Sequence, residues 1–318
     1  VGDAVLVQRP VTEGWVHFLG MDKLVRDGRP QVWIPAGALH AWERTVIAIH
    51  GDEITLDIPI SDSIDQRQVS PPGATVVKAS YPGRITHVGL EDFRIVSPPR
   101  AKGSEFWFTR IEAVEDGWVR GVAVHDFTNG IWLGRGVKRF TIEDTHVTHD
   151  PTPYATSEAP FDFSIDGQQT LVDRSSSQGG NKIWYYATQN AARGPNVVLN
   201  FRATGTASHV SSHDRWATGL LIDGSSVDGG IKLANNGHLG DGQGWTMGWG
   251  VVWNSGSDVR VEAPPGATNW AIGVTGSVAI GAGRGIYDSL NRPVVPRSLY
   301  LAQLCLRRGP GAVAALGY

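Results

Sequence analysis

The chain has little cysteine, little net charge and no long apolar run. Its 318 residues include one cysteine, Cys305, so an internal disulfide is excluded. The formal net charge of −3 gives no sign of a nucleic-acid partner. No apolar run approaches the length of a membrane span. We therefore expect neither a nucleic-acid partner nor a membrane partner.

Glycine and tryptophan are abundant, at 40 and 12 residues. Glycine suits tight corners between short strands because it adopts positive φ without steric cost. Tryptophan suits either a core or a surface that stacks on sugar rings. The hydrophobic content of 41% is enough for a sizeable core.

A short phrase recurs between residues 88 and 275, in which two or three apolar or bulky residues are closed by Asp or Asn. Val198-Leu199-Asn200 is one instance, and the Asx positions are 92, 126, 144, 173, 200, 223 and 254. A fixed phrase at irregular steps of two to three dozen residues is typical of a repeat architecture with loops of varying length. The runs are strand-like, with no helix between them, so they predict an all-β parallel β-helix. An Asx at each corner tolerates unusual φ and bonds to nearby backbone.

Four phrases resemble bacterial right-handed parallel β-helix proteins of the pectate-lyase-like superfamily. They are residues 213–221 (HDRWATGLL), 244–250 (GWTMGWG), 269–273 (NWAIG) and 296–304 (PRSLYLAQL). The resemblance runs from residue 84 to the end and implies a right-handed parallel β-helix that acts on carbohydrate. It also implies a secreted or periplasmic protein and, often, a trimer.

The resemblance carries over no catalytic residue. The Trp-Ile-Asp-His and Arg-x-Pro phrases of pectate lyases are absent from the coils, as are the Asn-Thr-Asp, Asp-Asp and Gly-His-Gly phrases of polygalacturonase-type hydrolases. The superfamily hosts lyases, hydrolases and transferases on one scaffold, so fold alone does not choose among them.

Four segments are predicted. Residues 1–62 form a small antiparallel β subdomain, which we interpret as an insertion between coils, so that earlier coils would precede Val1. Residues 63–83 form a connector rich in Ser and Pro, and residues 84–283 form the parallel β-helix. Residues 284–318 form a C-terminal cap over the open end, with one helix at about 297–308 that Gly309 and Pro310 terminate. Cys305 is predicted to be buried in that cap.

Counting back seven or eight residues from the Asx positions places Asp166, Arg193 and Arg215 in one predicted column. Neighbours in such a column are roughly 5 Å apart. Arginine holds a carboxylate with two parallel bonds, so the column predicts a cradle for a carboxylate-bearing sugar. The alternative is a solvated salt-bridge ladder that only steadies the sheet.

The candidate catalytic residues are His213, Arg215, Asp166 and Lys182. His213 stands beside Arg215 as a general base or a substrate hydrogen-bonder. Lys182 is a further candidate for proton transfer. Asp166 would be the acid of a glycosidase whose second carboxylate comes from a loop. The predicted substrate-binding residues are Arg193, Trp216, Trp245, Tyr186, His238 and Trp249.

The spacing of the histidines predicts no metal site. The histidines of residues 146–150 and 209–214 stand three or four residues apart, which puts them on opposite faces of a strand or about 13 Å apart. A Ca²⁺ site on Asp150, Asp162 and Asp166 is an open alternative. No other cofactor is expected.

The sequence therefore predicts a carbohydrate-active β-helix protein. The preferred function is a polysaccharide lyase that cleaves a uronic-acid glycan by β-elimination. The first alternative is a glycoside hydrolase or a fructotransferase-like transglycosylase on a neutral glycan. The second alternative is a non-catalytic glycan-binding or spike protein.

Overall fold

The structure is a computed structural model that describes residues 1–98, 106–150, 161–179, 184–189, 191–205, 209–279 and 283–318. It is mostly β, with 47% strand and 10% helix. The all-β prediction is confirmed.

The N-terminal unit is built on a four-stranded antiparallel sheet with the order β5-β4-β1-β6. Its strands and helices are β1 (Ala4–Pro10), α1 (Glu13–Phe18), β2 (Val25–Arg26), β3 (Arg29–Pro30), β4 (Leu39–His50), β5 (Glu53–Leu56), α2 (Gln66–Val69) and β6 (Thr75–Lys78), with a 3-10 turn at Met21–Lys23. The predicted antiparallel β structure is present. Its fourth strand, β6, lies in the stretch that the sequence predicts as a connector.

Two large sheets of parallel strands follow. Sheet 2 contains β7 (Ile85–Thr86), β8 (Gly89–Glu91), β11 (Val114–Arg120), β14 (Lys138–Glu143), β17 (Gln168–Asp173), β20 (Arg193–Leu199), β23 (Ala217–Asp223), β25 (Met247–Gly248), β26 (Val251–Trp253), β28 (Trp270–Ile272) and β29 (Ile286–Asp288). Sheet 3 contains β9 (Arg94–Val96), β10 (Trp107–Ile111), β12 (Ala123–His125), β13 (Asn129–Leu133), β15 (His146–Thr148), β16 (Phe161–Ile165), β18 (Ser176–Gln178), β19 (Trp184–Thr188), β21 (Arg202–Thr204), β22 (His209–Ser212), β24 (Ser226–Leu233) and β27 (Gly256–Val261).

Each strand pairs with its equivalent in the next repeat. In sheet 2, for example, β14 pairs with β17, β17 with β20 and β20 with β23, all in parallel. Sheet 3 has two arms, β10-β13-β16-β19-β22 and β9-β12-β15-β18-β21, which meet at β24. Curled parallel sheets with this pairing are compatible with a parallel β-helix.

Apolar side chains stack in register through the interior. One column of sheet 2 is fully buried and runs through adjacent strands as Val119, Ile142, Val172, Val198, Ile222, Val252 and Ala271. Burial of each Val or Ile side chain stabilises the fold by about 1.5–3 kcal/mol. The short apolar runs read from the sequence therefore form the core ladder.

A column of left-handed residues follows the sheet 2 strands, with φ between 42° and 69° at positions 92, 121, 144, 174, 200, 224, 254, 273 and 289. Four predicted Asx positions occupy it: Asp92, Asp144, Asn200 and Asn254. The other three do not. Residues 173 and 223 precede the corner by one residue, and residue 126 stands at a different corner, between β12 and β13.

Residues other than Asp and Asn also occupy this left-handed position, because backbone hydrogen bonds between successive strand repeats fix its conformation. Arg174 N donates to Leu199 O at 3.1 Å, and Gly224 N donates to Trp253 O at 2.9 Å. Asp173 lies one residue before the left-handed position, and its side chain accepts a hydrogen bond from the Tyr318 hydroxyl at 2.6 Å. The Asx column was therefore predicted correctly in part.

The N-terminal unit docks on the outer face of sheet 2 through buried charges. Glu43 accepts from Arg84 at 2.8 Å and from Lys138 at 3.0 Å, and all three side chains are nearly inaccessible to water. Arg44 donates to the Gln168 side chain at 3.1 Å. Buried charges are tolerated only when they are paired and hydrogen-bonded, so these contacts fix how the unit is placed.

The chain ends in two helices, α3 (Leu299–Arg308) and α4 (Pro310–Ala315). The predicted helix is confirmed, but its packing is not. It lies against Leu171, Val197 and Leu199 on the outer face of sheet 2, not over an end of the stack. Because one helical face meets the sheet, the opposite face meets water, and Cys305 is exposed where it was predicted to be buried. Among the described residues, no helix has the length and apolarity needed to cross a membrane.

Candidate functional site

Several polar side chains meet where the strands of sheet 3 turn into sheet 2. We call Asp166, Gln189, Arg193, His213 and Arg215 the corner cluster. They lie on or beside three successive connections, β16–β17, β19–β20 and β22–β23. Four of these five residues are sequence-predicted site residues.

His213 is held by side-chain hydrogen bonds at both ring nitrogens. Its Nδ1 lies 2.8 Å from the side-chain oxygen of Gln189, and its Nε2 lies 3.0 Å from the side-chain nitrogen of Gln243. The Gln243 oxygen accepts from Asn236 at 2.9 Å, which orients its amide with the nitrogen toward His213. The network therefore favours the tautomer with the proton on Nδ1 and a lone pair on Nε2.

The surroundings of His213 favour a neutral imidazole. The rings of Phe161 and Trp184 both approach it edge-on, with centroids 5.2 Å away. Burial lowers the pKa of His213 below its ordinary value, and the Arg215 charge acts in the same direction, while Asp214 and Asp241 oppose it. A neutral imidazole with an accepting Nε2 is competent as a general base.

Arg193 supplies a partly buried positive charge. Burial and the Arg135 charge lower its pKa to about 9, against the opposing charges of Asp62 and Asp166, so it stays charged at neutral pH. One of its terminal nitrogens donates to Leu39 O at 3.5 Å. Its buried Nε has no partner among the described residues.

Arg215 supplies the second guanidinium. It pairs with Asp241 and donates to its carbonyl at 3.3 Å, while its buried Nε has no partner in the described part of the chain. Arg215 and Trp216 have φ of 44° and 56°, so two consecutive side-chain-bearing residues are left-handed. Strain of this kind persists only where surrounding bonds impose it, and it clusters at functional sites. Here Trp216 N donates to Trp245 O at 2.9 Å.

Asp166 is the carboxylate of the cluster. Burial raises its pKa to about 6, with Asp214 acting in the same direction and Arg135 opposing. Its Oδ1 is buried and has no partner among the residues described. Near neutral pH this carboxyl therefore exchanges a proton readily.

Serine hydroxyls lie close by on the outer face of sheet 3. Ser164 and Ser211 each pair with Ala187, and Lys232 continues the row. Both hydroxyls are buried, with no partner among the described residues. The small residues Ser164, Ala187 and Ser211 thus form a row next to the corner cluster, and Lys232 is the next residue in that row.

The predicted column has a different register in the structure. Arg193 pairs with Thr218, not with Arg215, because Leu199 and not Asn200 is the register partner of Asp223, and a bulge between Arg193 and Asn196 shifts the pairing by one further residue. Arg215 lies in the connection before β23. Asp166, Arg193 and Arg215 thus lie on or beside the connections from sheet 3 to sheet 2 instead of in a strand column; the charge of Asp166 acts on Arg193, and the charge of Arg215 acts on His213.

The predicted stacking tryptophans serve packing. Trp216 and Trp245 are buried against the N-terminal unit, where the Trp216 ring lies 5.1 Å from that of Trp15. The Trp245 indole donates to Leu19 O at 3.2 Å. Trp249 is partly buried at the edge of the same cluster.

The other predicted residues lie apart from the cluster or outside the described structure. Tyr186 is fully buried in the core, where burial raises its pKa and its hydroxyl has no partner among the described residues. His238 is exposed in the loop after β24, and its carbonyl accepts from Gln31 at 3.4 Å. Lys182 lies outside the described residues.

His40 is a site residue that sequence reasoning missed. It is 2% exposed, and neither ring nitrogen has a partner among the described residues. Burial lowers its pKa well below the ordinary value, followed by the charges of Arg193, Arg9 and Arg135. It reaches the corner from β4, far away in sequence, so no local pattern marks it. Gln243 was missed for the same reason.

The candidate calcium ligands do not gather. Asp162 is buried and bonded to Ser177 and to His149, the latter at 2.7 Å, whereas Asp166 lies in the corner cluster. Among the described residues, no group of three or more His, Cys, Asp or Glu side chains is placed to hold a metal ion.

No protein-family model matches the chain, and no curated protein matches its sequence. Function is therefore inferred from the chemistry of the corner cluster.

Proposed function

We propose that the chain is a right-handed parallel β-helix protein of the pectate-lyase-like kind, and that it cleaves a uronic-acid glycan by β-elimination. The observation that carries the proposal is a His213 that is hydrogen-bonded at both ring nitrogens and whose pKa is lowered by burial and by the nearby Arg215 charge, with Arg193 supplying a further guanidinium at the preceding connection between the two sheets. The reaction needs a base beside a carbon and cations on the neighbouring carboxylate.

The proposed chemistry assigns a role to each of these groups. A uronate carboxylate lies against Arg193 and Arg215, whose charges make the adjacent carbon more acidic. A substrate that displaces the Gln243 amide presents its α C–H bond to Nε2 of His213, which takes the proton. The electron pair of that bond forms the C4–C5 double bond, and the C4–O bond breaks. The departing oxygen takes a proton from water to give the new chain end, and His213 releases the proton that it took to the solvent.

Buried donors without partners support a carboxylate ligand. The Nε groups of Arg193 and Arg215 are both buried and unpaired among the described residues. Buried N–H groups without partners are uncommon in folded proteins and call for a ligand or ordered water. A planar carboxylate matches the geometry of a guanidinium with two parallel bonds.

The direct test is ultraviolet absorbance with a panel of uronate polysaccharides, with and without a chelator. We expect absorbance to rise, because elimination leaves a conjugated double bond, and we expect no rise with His213→Ala. A chelator that abolished the rise would add Ca²⁺ to the proposal. No rise on any substrate would overturn the lyase assignment.

A second candidate function is a glycoside hydrolase or transglycosylase on a neutral glycan, and the raised pKa of Asp166 favours it. A carboxyl with a pKa of about 6 is half protonated at pH 6, far above the usual range of an aspartate, so it can act as a general acid in mildly acidic solution. Asp214 is near enough to influence it and would supply the second carboxylate. Chromatography of products from fructans and other neutral glycans, with Asp166→Asn as the control, tests this function.

Binding without product would favour the third function, a non-catalytic glycan-binding or spike protein. A polysaccharide substrate also implies a secreted or periplasmic location. Sedimentation of the purified protein would test the trimer that the family resemblance implies.

A further inference from the structure

A cavity of about 690 Å³ lies on the outer face of sheet 2. It shares no lining residue with the corner cluster. Its floor comes from β14, β17, β20 and β23, one wall from residues 58–61 of the N-terminal unit, and the other wall from α3. Three separate parts of the chain therefore enclose it.

One face of α3 forms the second wall. Tyr300, Gln303, Leu306 and Arg307 line the cavity, at spacings that place them on one side of a helix. Leu306 is 87% exposed. A leucine so exposed beside a cavity offers apolar surface that a ligand would cover.

The charges of the cavity are all positive. Its charged lining residues are Arg139, Arg307 and Arg308, with no carboxylate among the lining residues. Arg139 is already paired, with Asp116 at 2.6 Å. The two arginines in the last turn of α3 have no ion pair among the described residues, so they are the groups available to an anion.

Most polar groups of the floor and wall are already bonded. The Asn196 side chain accepts from Thr170 and donates to Gly167 O at 3.1 Å. The Ser61 hydroxyl bonds to Thr218 at 3.0 Å. Gln169 keeps a buried side-chain oxygen without a partner among the described residues. A hydroxyl-rich sugar would therefore find few partners here.

The remaining lining is largely aliphatic. The apolar residues that line the cavity are Ile58, Pro59, Ile60, Leu171, Pro195, Val197, Leu221, Tyr300 and Leu306. Small-molecule sites are typically concave and mostly apolar, with a few placed polar groups that set orientation. The lining fits that description, because the polar groups of its floor are mostly bonded within the protein and Arg307 and Arg308 are left to orient a ligand.

Backbone strain at the floor is a further observation. Arg139 and Gln169 lie in neighbouring strands with φ of 50° and 59°, although neither is glycine. Both line the cavity. Asp116, at the equivalent position of β11, is also left-handed, with φ of 55°, and does not line the cavity, so this conformation belongs to the strand repeat and is not specific to the cavity.

We propose that this cavity binds an amphipathic anion, with its apolar body on Leu171, Val197 and Leu221 and its acidic head on Arg307 and Arg308. A carboxylate or a sulfate would serve as the head. The inference is independent of the reaction at the corner cluster, because the two sites share no residue.

The test is isothermal titration calorimetry of the whole chain with laurate below its micelle concentration. We expect one site, a loss of affinity of at least tenfold in Arg307→Gln/Arg308→Gln, and no detectable binding in Leu221→Trp, which fills the cavity. The control variant Arg292→Gln/Arg297→Gln removes the same charge outside the lining and should bind like the unaltered chain. Circular dichroism would confirm that each variant is folded.

Absence of laurate binding to the unaltered chain would overturn the proposal. Equal affinity in the double arginine variant and its control would overturn it as well. A tetragalacturonate that binds this site more tightly than laurate would overturn the apolar body and reassign the cavity to sugar. None of these results affects the ultraviolet assay, so the two proposals fail separately.

Discussion

The side-chain oxygen of Gln189 lies 2.8 Å from Nδ1 of His213 and determines which ring nitrogen carries the proton. An amide oxygen accepts but carries no charge, so it orients the ring without stabilising the imidazolium. Burial lowers the pKa of His213 in the same environment. The pair therefore keeps the imidazole neutral, with the lone pair on Nε2, where it accepts from Gln243 until a substrate displaces that amide.

Replacing Gln189 by Glu should raise the pKa of His213. A carboxylate at this position stabilises the imidazolium, and one pKa unit corresponds to about 1.4 kcal/mol. We expect an NMR titration of the His213 ring to give a midpoint below 6.5 in the unaltered chain and a higher one in Gln189→Glu. The acid limb of any pH–rate profile should move to higher pH by the same amount.

Gln189→Met is the matched control for that titration. It removes the acceptor without adding charge, so the midpoint should not rise. Equal midpoints in Gln189→Glu and the unaltered chain would show that the hydrogen bond does not govern this imidazole.

Arg215→Ala should lower kcat/KM for the lyase reaction by at least about a hundredfold. Stabilisation of a developing charge by one positioned group contributes roughly 10²–10³ in rate. Arg193→Lys keeps the charge but loses the planar fork, so a smaller loss of about tenfold is expected. Initial rates with the substrate identified by the absorbance panel measure both. Arg202→Ala, an exposed arginine on β21, is the control. Unchanged turnover in Arg215→Ala would remove this residue from the mechanism.

The sequence predicted the strand repeat well because burial imposes it. Val172, Val198 and Ile222 are buried side by side in adjacent strands, and a buried strand position requires an apolar residue, so the sequence pattern follows the structure. The corner column was predicted only in part. Its backbone bonds hold Arg174 in the left-handed region as well as Asn200, so the residue type is not decisive.

The candidate site was predicted in composition but not in geometry. Asp166 and Arg193 were expected to share a register position, but Asp173 pairs with Leu199 and not with Asn200, so the two residues from which the count began are not equivalent. Between Arg193 and Arg215 a bulge in β20 also shifts the pairing, and no local sequence pattern records a bulge. His40 was missed because tertiary docking of the N-terminal unit brings it to the corner.

The corner residue Asn254 should matter more to stability than its counterpart Asp92. Both are left-handed, with φ of 42° and 55°. The Asn254 side chain also accepts from Val294 N at 2.8 Å and donates to Arg297 O at 3.0 Å. No side-chain hydrogen bond of Asp92 is present among the described residues.

Asn254→Ala should therefore lower the free energy of unfolding by about 2 kcal/mol more than Asp92→Ala, because each side-chain hydrogen bond contributes about 1 kcal/mol and both variants place alanine in the same left-handed conformation. Urea unfolding followed by circular dichroism gives both values. Equal losses would mean that the side-chain bonds to the segment before α3 add nothing to stability.

His40 should make the fold sensitive to acid. Its folded-state pKa lies well below 6.5, chiefly because of burial and then because of the charges of Arg193, Arg9 and Arg135. Below pH 6.5 the unfolded chain consequently binds a proton that the folded chain excludes. The stability that a neutral His40 allows is complete above pH 6.5 and is lost as the pH falls toward the folded-state pKa. The loss approaches about 1.4 kcal/mol per pH unit.

His40→Leu removes that titration while leaving an apolar side chain in a buried position that offers no hydrogen-bond partner among the described residues. We expect the variant to gain Tm relative to the unaltered chain as the pH falls from 7.5 to 4.5, with little change in the difference above pH 6.5. His50→Leu replaces an exposed histidine on the same strand and should show no such trend. Parallel Tm curves for His40→Leu and the unaltered chain would mean that His40 has the same pKa in the folded and the unfolded chain. Some acidic group would then have to face it within the fold, and the positive surroundings derived for this corner would be wrong.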